Sequence, residues 1–295
     1  MPSPTSAPRR WTTRELLQWT SGHFREKGVD SPRVCAEMLL AHVLGCERMR
    51  LYMEADRPAA PEELVRFREL VARAGRHEPV QYLVGHAWFF SRKLEVDAST
   101  LIPRPSTETV VETALVHFRE HAIDAPRVLD LCTGSGCIAI SIAAQLPGAT
   151  IVATDVVPAA LALAARNARA HNVATRIEFR EGSLWEPIAD DEPFDAICAN
   201  PPYISDLEWD DVPPNVKHHE PASALRAGPD GLDLVRPTVG GASARLAPGG
   251  LLAVEIAASQ EAASLRLARD SGLVDARVVR DFEGLPRVLR ARRST

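Results

Sequence analysis

The segment VLDLCTGSGC, residues 128–137, decides the fold of this chain. It starts as an apolar stretch, which predicts a buried β-strand. Gly134 and Gly136 come next, and glycine lets the backbone approach a ligand without interference from a Cβ atom. An apolar helix is predicted directly after them. A strand, a glycine-rich turn and a helix in this order predict a ligand site at the carboxyl end of a strand in an open α/β sheet.

Strands and helices alternate around this segment. Their apolar patterns predict strands at 127–131, 150–154, 176–180, 194–199 and 251–256, and helices at 136–146, 158–171, 231–246 and 259–271. Such alternation predicts a parallel sheet covered on both faces. The last strands, 276–280 and 287–290, predict an antiparallel hairpin, which is unusual for a dinucleotide dehydrogenase and usual for methyltransferases. The predicted fold class is therefore α/β and Rossmann-like with a terminal antiparallel hairpin, an arrangement typical of the class I S-adenosylmethionine-dependent methyltransferase domain.

The chain before this domain has a helical pattern and predicts a small all-helical domain. Thr12 and Glu15 fit a capping box, and Ser31 followed by Pro32 predicts a second helix with Ser31 as its N-cap. A turn is predicted around 48–53 and a third helix from 61 to about 75, while Ser106 is predicted to cap a later helix. We predict four regions: a disordered tail (1–10), a helical substrate-docking domain (11–85), a linking β-hairpin (86–98) and a methyltransferase catalytic domain (99–295).

Composition and charge restrict the class of protein. No apolar run approaches the roughly 18–20 residues that span a bilayer, and residues 1–10 lack the apolar region of a signal peptide. We therefore expect a monomeric cytoplasmic protein that does not enter membranes. Residues 1–95 include 15 basic and 12 acidic residues, and residues 96–295 include 19 basic and 27 acidic residues. An acidic catalytic half argues against a nucleic-acid substrate, because phosphate neutralisation supplies much of that affinity.

The cysteines and histidines do not predict a metal site. The five cysteines include no CxxC pair, and zinc sites need clustered ligands. The run His218-His219-Glu220 consists of adjacent residues, which rarely converge on one ion. We expect no metal and five free thiols.

The glycine loop alone fits two cofactors. Gly134-x-Gly136-x-x-Ala139 satisfies the nicotinamide dinucleotide fingerprint, with the acidic Asp155 nineteen residues after Gly136. The same loop fits S-adenosylmethionine, whose ribose hydroxyls Asp155 can accept. Asp130 favours S-adenosylmethionine slightly, because a carboxylate suits a cationic amino-acid end better than a pyrophosphate. The loop by itself does not decide between a nicotinamide dinucleotide and S-adenosylmethionine.

The motif Asn200-Pro201-Pro202-Tyr203 indicates the chemistry. Methyl transfer requires nitrogen, methyl carbon and sulfur in line, and the lone pair of an amide or aromatic amine is delocalised. The Asn200 side-chain oxygen and the Pro201 carbonyl can accept the two N–H groups of such a nitrogen and direct its lone pair. Consecutive prolines fix φ and remove competing donors, and Tyr203 offers a flat face for stacking. The motif predicts methylation of a planar nitrogen and does not separate an amide from a nucleobase.

Taken together, these residues resemble the release factor N5-glutamine methyltransferase family. The resemblance covers nearly the whole chain and is carried by AEMLL (36–40), EPVQYLVG (78–85), LIPRPSTE (101–108), the glycine loop, NPPY and the late Glu220-Pro221. The PRPxTE stretch is the most discriminating, since it is not expected in DNA adenine methyltransferases that share NPPY.

The resemblance implies S-adenosylmethionine as cofactor and, as protein substrate, a peptide chain release factor whose Gly-Gly-Gln glutamine is methylated. It implies a catalytic site at Asn200 to Tyr203 and a substrate entrance at Arg104 and Glu108. The implied cofactor contacts are Asp130, Cys132, Thr133, Gly134, Ser135, Gly136, Asp155, Trp185 and Asn200. Three positions depart from the family: Cys132 replaces a usual Gly, Ser106 an acidic residue, and Ser183 an Asp near the adenine.

Other functions remain open on the sequence. The spelling CTGSGC also resembles sister enzymes that methylate a ribosomal-protein glutamine. An amino-methyltransferase acting on adenine or guanine would need a basic channel, and a nicotinamide oxidoreductase would need a proton donor or acceptor near the loop, which we do not find. A partner protein that has lost turnover is disfavoured by the intact NPPY and glycine loop.

Overall fold

The computed structural model describes residues 11–295, so the predicted tail at 1–10 lies outside the described residues. The described chain divides into two compact units. One contains the residues up to Gly85 together with Pro214–His219, and the other contains His86–Pro213 and Glu220–Thr295. The grouping of Pro214–His219 with the helical unit is a feature that the sequence did not indicate.

The first unit is helical, as predicted. Its helices are α1 (Thr13–Glu26), α2 (Pro32–Leu44), α3 (Arg48–Met53), α4 (Pro61–Ala74), α5 (Val80–Val84) and, from the later segment, α9 (Pro214–Lys217). Phe24, Leu39, Leu40 and Phe67 are fully or almost fully buried and form the centre of its core. Burial of this apolar face is what stabilises short helices of this kind.

The helix starts test the capping predictions. The capping box at Thr12 is confirmed: the Glu15 amide donates to Thr12 Oγ1 at 3.3 Å, and the Thr12 amide donates to Glu15 Oε2 at 2.9 Å. The prediction for Ser31 is wrong, because Ser31 has a left-handed φ of 47° and its side chain makes no capping bond. Pro32 still begins α2. Residues Arg48–Met53, predicted as a turn, form the helix α3.

The second unit contains the α/β domain and a two-stranded hairpin. Its helices are α6 (Glu108–Glu120), α7 (Cys137–Gln145), α8 (Pro158–Ala170), α10 (Val235–Arg245) and α11 (Glu261–Asp270). The hairpin strands are β1 (His86–Phe89) and β2 (Arg92–Glu95). The sheet strands are β3 (Arg127–Leu131), β4 (Thr150–Asp155), β5 (Ile177–Glu181), β6 (Phe194–Ala199), β7 (Leu246–Glu255), β8 (Val274–Arg280) and β9 (Pro286–Arg292).

The sheet has the predicted topology. Its seven strands run in the order β5-β4-β3-β6-β7-β9-β8, with β3 to β7 parallel and with β9 antiparallel to both β7 and β8. The α/β fold with a terminal antiparallel hairpin and a preceding helical domain is therefore confirmed. β7 begins at Leu246, five residues earlier than predicted, because the Pro-Gly-Gly run at 248–250 interrupts the apolar pattern without ending the strand.

The start of α6 differs from the prediction. Residues Pro105–Thr107 form a 3₁₀ turn, and Thr107 occupies the N-cap position of α6. Ser106 therefore does not cap the helix. Its Oγ lies 3.3 Å from Glu255 Oε1 and donates a hydrogen bond to it.

The strand order places the functional loops together. β3 lies between β4 and β6, and the three strands are parallel, so their carboxyl ends meet at one edge of the sheet. The chain continues from β3 to β4 and β5 on one side of β3, and then crosses to β6 on the other side. A crevice opens at such a reversal of strand order, where open α/β sheets bind ligands. In residues 11–295, no helix has both the length and the apolar character needed to cross a bilayer.

Candidate active site

A cavity lies at the carboxyl ends of β3, β4 and β6. Water-sized molecules have about 150 Å³ of space for their centres here, within about 990 Å³ of empty space that includes open solvent. Its lining combines three groups of segments: the glycine loop with the ends of β4 and β5, the strap at 99–107, and the segments near 200 and 221–234. The lining residues fall within positions 99–107, 132–138, 154–160, 182–184, 200–202, 221–224 and 234.

The two glycines of the loop serve different purposes. Gly134 has a φ of 55°, and a Cβ added there would meet nothing within 4 Å. Gly136 has a φ of 82°, and a Cβ there would come within 3.0 Å of the Ile140 side chain and 3.1 Å of the Ala164 Cβ. Gly134 thus leaves space at the cavity, whereas Gly136 allows α7 to pack against α8.

Cys132 has a backbone conformation that suits glycine. Its φ is 58°, a left-handed value that costs a residue with a Cβ atom on the order of 1–2 kcal/mol. A glycine would adopt this conformation without strain. Burial raises the pKa of the Cys132 thiol, with a smaller contribution from Asp155 and Asp130, so the sulfur stays neutral. Cys132 lines the cavity as an uncharged side chain.

Asp155 lies at the end of β4 and lines the cavity, as expected from the sequence. Its Oδ2 accepts from the Gly134 amide at 2.9 Å and its Oδ1 from the Val157 amide at 3.0 Å. The Val156 amide also hydrogen-bonds to this carboxylate, so three backbone amides occupy part of its acceptor capacity and the remainder is open to a further donor. Burial raises the pKa of Asp155, and its backbone hydrogen bonds oppose that rise.

Asp130, an implied cofactor contact, is fully buried in β3 and is not among the residues that line the cavity. Its role at the cofactor stays a prediction. Its Oδ2 accepts from Thr133 Oγ1 at 2.6 Å and from the Ala139 amide at 3.2 Å. Asp130 therefore fixes the loop between β3 and α7. Burial raises its pKa to about 7.

The NPPY segment follows β6 and contributes two lining residues, Asn200 and Pro202. Asn200 Nδ2 donates to Thr107 Oγ1 at 3.0 Å. Pro201 and Tyr203 are not lining residues. The Tyr203 hydroxyl donates to Glu255 Oε1 at 3.3 Å, and the Tyr203 carbonyl accepts from Gln260 Nε2 at 3.0 Å. These contacts hold the segment in place, while burial raises the pKa of the Tyr203 hydroxyl.

Trp185 lies outside the cavity, although the resemblance implied a cofactor contact around it. Its Nε1 donates to the Pro237 carbonyl at 2.9 Å, and the Arg245 guanidinium lies 4.9 Å from the ring centroid. The neighbouring Ser183 and Leu184 line the cavity instead.

Arg104 and Glu108 do not pair with each other. Arg104 forms an ion pair with Glu220, whose side chain is fully buried. Glu108 accepts a hydrogen bond from the Phe90 amide at 2.7 Å and borders a second, shallower depression beside the hairpin. Neither residue lines the main cavity, so a direct role at its entrance stays a prediction.

Several lining residues were not singled out from the sequence. They are Thr100, Leu101 and Thr107 in the strap and Ser223, Ala224 and Leu234 after NPPY. Thr107 belongs to the PRPSTE stretch, so the stretch itself was the available signal. In residues 11–295, no group of three or more His, Cys, Asp or Glu side chains is arranged to hold a metal ion.

Family comparisons match both units. The family model for the PrmC N-terminal domain matches residues 15–85, and the model for the methyltransferase small domain matches residues 111–216. A curated relative from Geobacter sulfurreducens, named release factor glutamine methyltransferase, is 43% identical over 98% of this chain and 99% of its own length.

Solved structures are also similar to this chain. The protein-(glutamine-N5) methyltransferase (release factor-specific) from Alicyclobacillus acidocaldarius is 30% identical and covers 68% of this chain and 100% of its own, with a TM-score of 0.42. The catalytic domain of hMettl16, in complex with MAT2A 3′UTR hairpin 6, is 18% identical and covers 81% of this chain and 84% of its own, with a TM-score of 0.54. At 18% identity this likeness shows the fold alone.

Proposed function

This chain belongs to the release factor glutamine methyltransferase family, and from that premise we propose that it methylates the side-chain nitrogen N5 of the Gly-Gly-Gln glutamine in a translation release factor. It is a protein-glutamine methyltransferase that uses S-adenosylmethionine. The observation that carries the proposal is that one cavity is lined both by the glycine loop with Asp155 and by Asn200 and Pro202 of NPPY.

The glycine-loop side of the cavity suits an adenosyl group. Asp155 lines the cavity and retains acceptor capacity beyond its backbone hydrogen bonds, which fits a ribose hydroxyl. The open space beside Gly134 lets a ligand approach the backbone closely. Cys132, Val156 and Ala160 add uncharged surface for the rest of the molecule. We assign this side to the cofactor.

The NPPY side suits a primary amide. Asn200 commits its Nδ2 to Thr107, so its Oδ1 is available to accept one N–H of a glutamine amide. The Pro201 carbonyl is the second acceptor in this proposal, and the prolines have no amide proton to compete for it. With both N–H groups held, the amide plane is fixed and the nitrogen lone pair is directed to one side.

When bound, S-adenosylmethionine would supply a methyl group on a sulfonium, and the glutamine nitrogen that receives it would release one proton to solvent. Asn200 and Pro201 orient the nitrogen before transfer, which lowers the entropic part of the barrier. Thr107 and Pro103 line the same cavity and reduce access of water to the reacting amide. No side chain is needed as a strong base.

The choice of substrate rests on the family and on charge. The acidic balance of residues 96–295 disfavours a nucleic acid held by its phosphates. A protein substrate needs no such phosphate contacts. We further propose that the enzyme acts as a monomer in the cytoplasm, where translation takes place.

The test is methyl transfer from labelled S-adenosylmethionine to a purified release factor, beside a copy with the Gly-Gly-Gln glutamine replaced. Label on the first and none on the second is the expected result. Label on both would place the modification elsewhere in the release factor. Absence of label on either, with the cofactor shown to bind, would contradict this substrate and direct the assay to ribosomal proteins and then to nucleic acids.

A further inference from the structure

Asn167 is a polar side chain in the interior of the second unit. It lies on α8 and is 2% exposed, although asparagine is a residue type that mostly lies at the surface. A side-chain amide has one acceptor oxygen and two N–H donors, and each of these groups costs free energy if it is buried without a partner. The backbone groups that satisfy the Asn167 amide therefore show what this side chain holds in place.

Two of the three contacts are with strand β2 of the linking hairpin. The Glu95 amide donates to Asn167 Oδ1 at 2.7 Å, and Asn167 Nδ2 donates to the Glu95 carbonyl at 3.0 Å. A residue in a neighbouring antiparallel strand would exchange the same two hydrogen bonds with Glu95. The Asn167 amide thus fastens the last residue of β2 to α8, across 72 positions of sequence.

The third contact is with the glycine loop. Asn167 Nδ2 also donates to the Ser135 carbonyl at 3.0 Å, and Ser135 is one of the residues that line the cavity. The three partners fix the orientation of the Asn167 amide, because the reversed amide would set its oxygen against two carbonyls and its N–H groups against the Glu95 amide. Both N–H donors of Asn167 are therefore committed to backbone carbonyls.

The Ser135 carbonyl belongs to the part of the loop that its own backbone restricts least. Ser135 lies between Gly134 and Gly136, whose φ values are 55° and 82°, and glycine is the most permissive residue for rotation of the backbone. The peptide group between Ser135 and Gly136 is therefore free to rotate unless other groups hold it. The Gly136 amide donates to the Thr133 carbonyl at 2.9 Å, and Asn167 holds the carbonyl at the other side of the same peptide group.

We propose that Asn167 is a positioning residue for the cofactor: it joins the linking hairpin to the glycine loop and fixes the Ser135 carbonyl, so that the loop keeps the shape that binds S-adenosylmethionine. This inference rests on the proposed function, which assigns the glycine-loop side of the cavity to the cofactor. Asn167 is not one of the residues that line the cavity, so it acts on the cofactor through Ser135.

Arg166 supplies the matched control. It precedes Asn167 on α8, is exposed, and forms an ion pair with the Glu95 side chain at 2.9 Å. Its second acidic partner, Asp97, lies 3.7 Å away. Arg166→Ala therefore removes a contact between α8 and the hairpin segment but leaves the Ser135 carbonyl bonded. Comparison with Asn167→Ala separates the effect on the glycine loop from the effect on the hairpin.

The first measurement is the dissociation constant of S-adenosylhomocysteine, by calorimetry well below the unfolding midpoint of each variant. Asn167→Ala is expected to bind about tenfold more weakly, the factor for one ordinary hydrogen bond, and Arg166→Ala to stay within about twofold of the wild type. In methylation assays, the KM for S-adenosylmethionine should rise in Asn167→Ala while kcat at saturating cofactor changes by less than about twofold. Equal affinities in the two folded variants would show a merely structural role and overturn the inference.

Amide hydrogen exchange tests the route of action in the absence of any ligand. The segment 131–138 is expected to exchange faster in Asn167→Ala than in the wild type, and at the wild-type rate in Arg166→Ala. Unchanged exchange of this segment in Asn167→Ala would also overturn the inference.

Asn167→Asp is the second variant and replaces Asn167→Ala if that protein does not fold. Aspartate keeps the acceptor for the Glu95 amide, but its ionised form has no proton to donate to the Ser135 carbonyl. It is expected to weaken S-adenosylhomocysteine binding by at least about tenfold, and wild-type affinity in this variant would contradict the role of Asn167. Absence of binding by the wild type would instead count against the proposed function.

Discussion

Glu220 Oε2 accepts a hydrogen bond from the backbone amide of Ile102 at 3.0 Å, across 118 positions of sequence. The same carboxylate forms an ion pair with Arg104. Glu220 therefore fastens the strap at 99–107 to the segment that follows NPPY. Since both segments line the cavity, this single carboxylate supports two of its walls.

Replacement of Glu220 should weaken cofactor binding from outside the cavity. In Glu220→Ala, the buried Ile102 amide and Arg104 both lose their acceptor, at a cost of about 1–3 kcal/mol for the amide alone. We expect a lower unfolding midpoint and a weaker S-adenosylhomocysteine affinity by calorimetry. Glu220→Gln retains an acceptor for the Ile102 amide, so its unfolding midpoint and affinity should lie between those of the wild type and Glu220→Ala. Glu112→Ala, an exposed position on α6, is the control, and equal effects in both alanine variants would contradict this account.

Substitutions at Cys132 should report the left-handed backbone there. A β-branched residue is strongly disfavoured at a φ of 58°, so Cys132→Val is expected to destabilise the protein by about 2 kcal/mol. Cys132→Gly is expected to stay within about 1 kcal/mol of the wild type, because relief of strain offsets the added entropy of the unfolded chain. Denaturant titration of both variants measures the difference. Equal stabilities would mean that the backbone relaxes away from this conformation.

The sequence contained most of the fold because its signals were local. The apolar runs that became β3 and β6 have the predicted bounds, and the capping box at Thr12 is present as expected. Ser31 fails as a cap because the residue before Pro32 adopts a left-handed conformation, which directs the side chain away from the helix. Local composition indicated where that helix begins and could not give the direction of a side chain.

The candidate site was only partly predictable for the same reason. Asp155 ends β4 and Asn200 directly follows β6, and both line the cavity. A prediction of the strands is therefore enough to place them. Asp130 is within β3, and whether an in-strand side chain faces a ligand or the interior depends on packing that the sequence does not state. Thr107 contacts Asn200, and Ile102 contacts Glu220, across 93 and 118 positions of sequence. A local sequence pattern cannot predict contacts between residues so far apart.

The pH dependence of stability should reveal the buried Asp130. Its pKa is raised to about 7 by burial, with Asp155 adding to the rise and its hydrogen bonds from Thr133 and Ala139 opposing it. The folded state therefore binds a proton more tightly than the unfolded state, so this residue's contribution to stability falls as pH rises from about 4 to about 7 and is constant above that. Asp130→Asn carries no charge to bury and can still accept from Thr133 and Ala139.

The unfolding midpoints of wild type and Asp130→Asn, measured without cofactor, give the test. The variant is expected to gain stability relative to the wild type as pH is raised from 5 to 8. A difference that stays constant over this interval would show that Asp130 does not titrate there. Asp124→Asn, at an exposed position, should show no such change and controls for a general charge effect.

The two loop glycines should separate cofactor affinity from stability. Both have positive φ, so alanine at either position carries a backbone strain of roughly 1–2 kcal/mol. At Gly134 the added methyl group meets nothing in the protein and projects into open space at the cavity, so Gly134→Ala should mainly weaken S-adenosylhomocysteine binding. At Gly136 the methyl group presses on Ile140 and Ala164, so Gly136→Ala should lose further stability from overpacking, typically about 1–3 kcal/mol. Calorimetry and thermal unfolding on both variants measure the contrast. Equal losses of affinity and of stability in the two variants would mean that the glycines do not divide these roles.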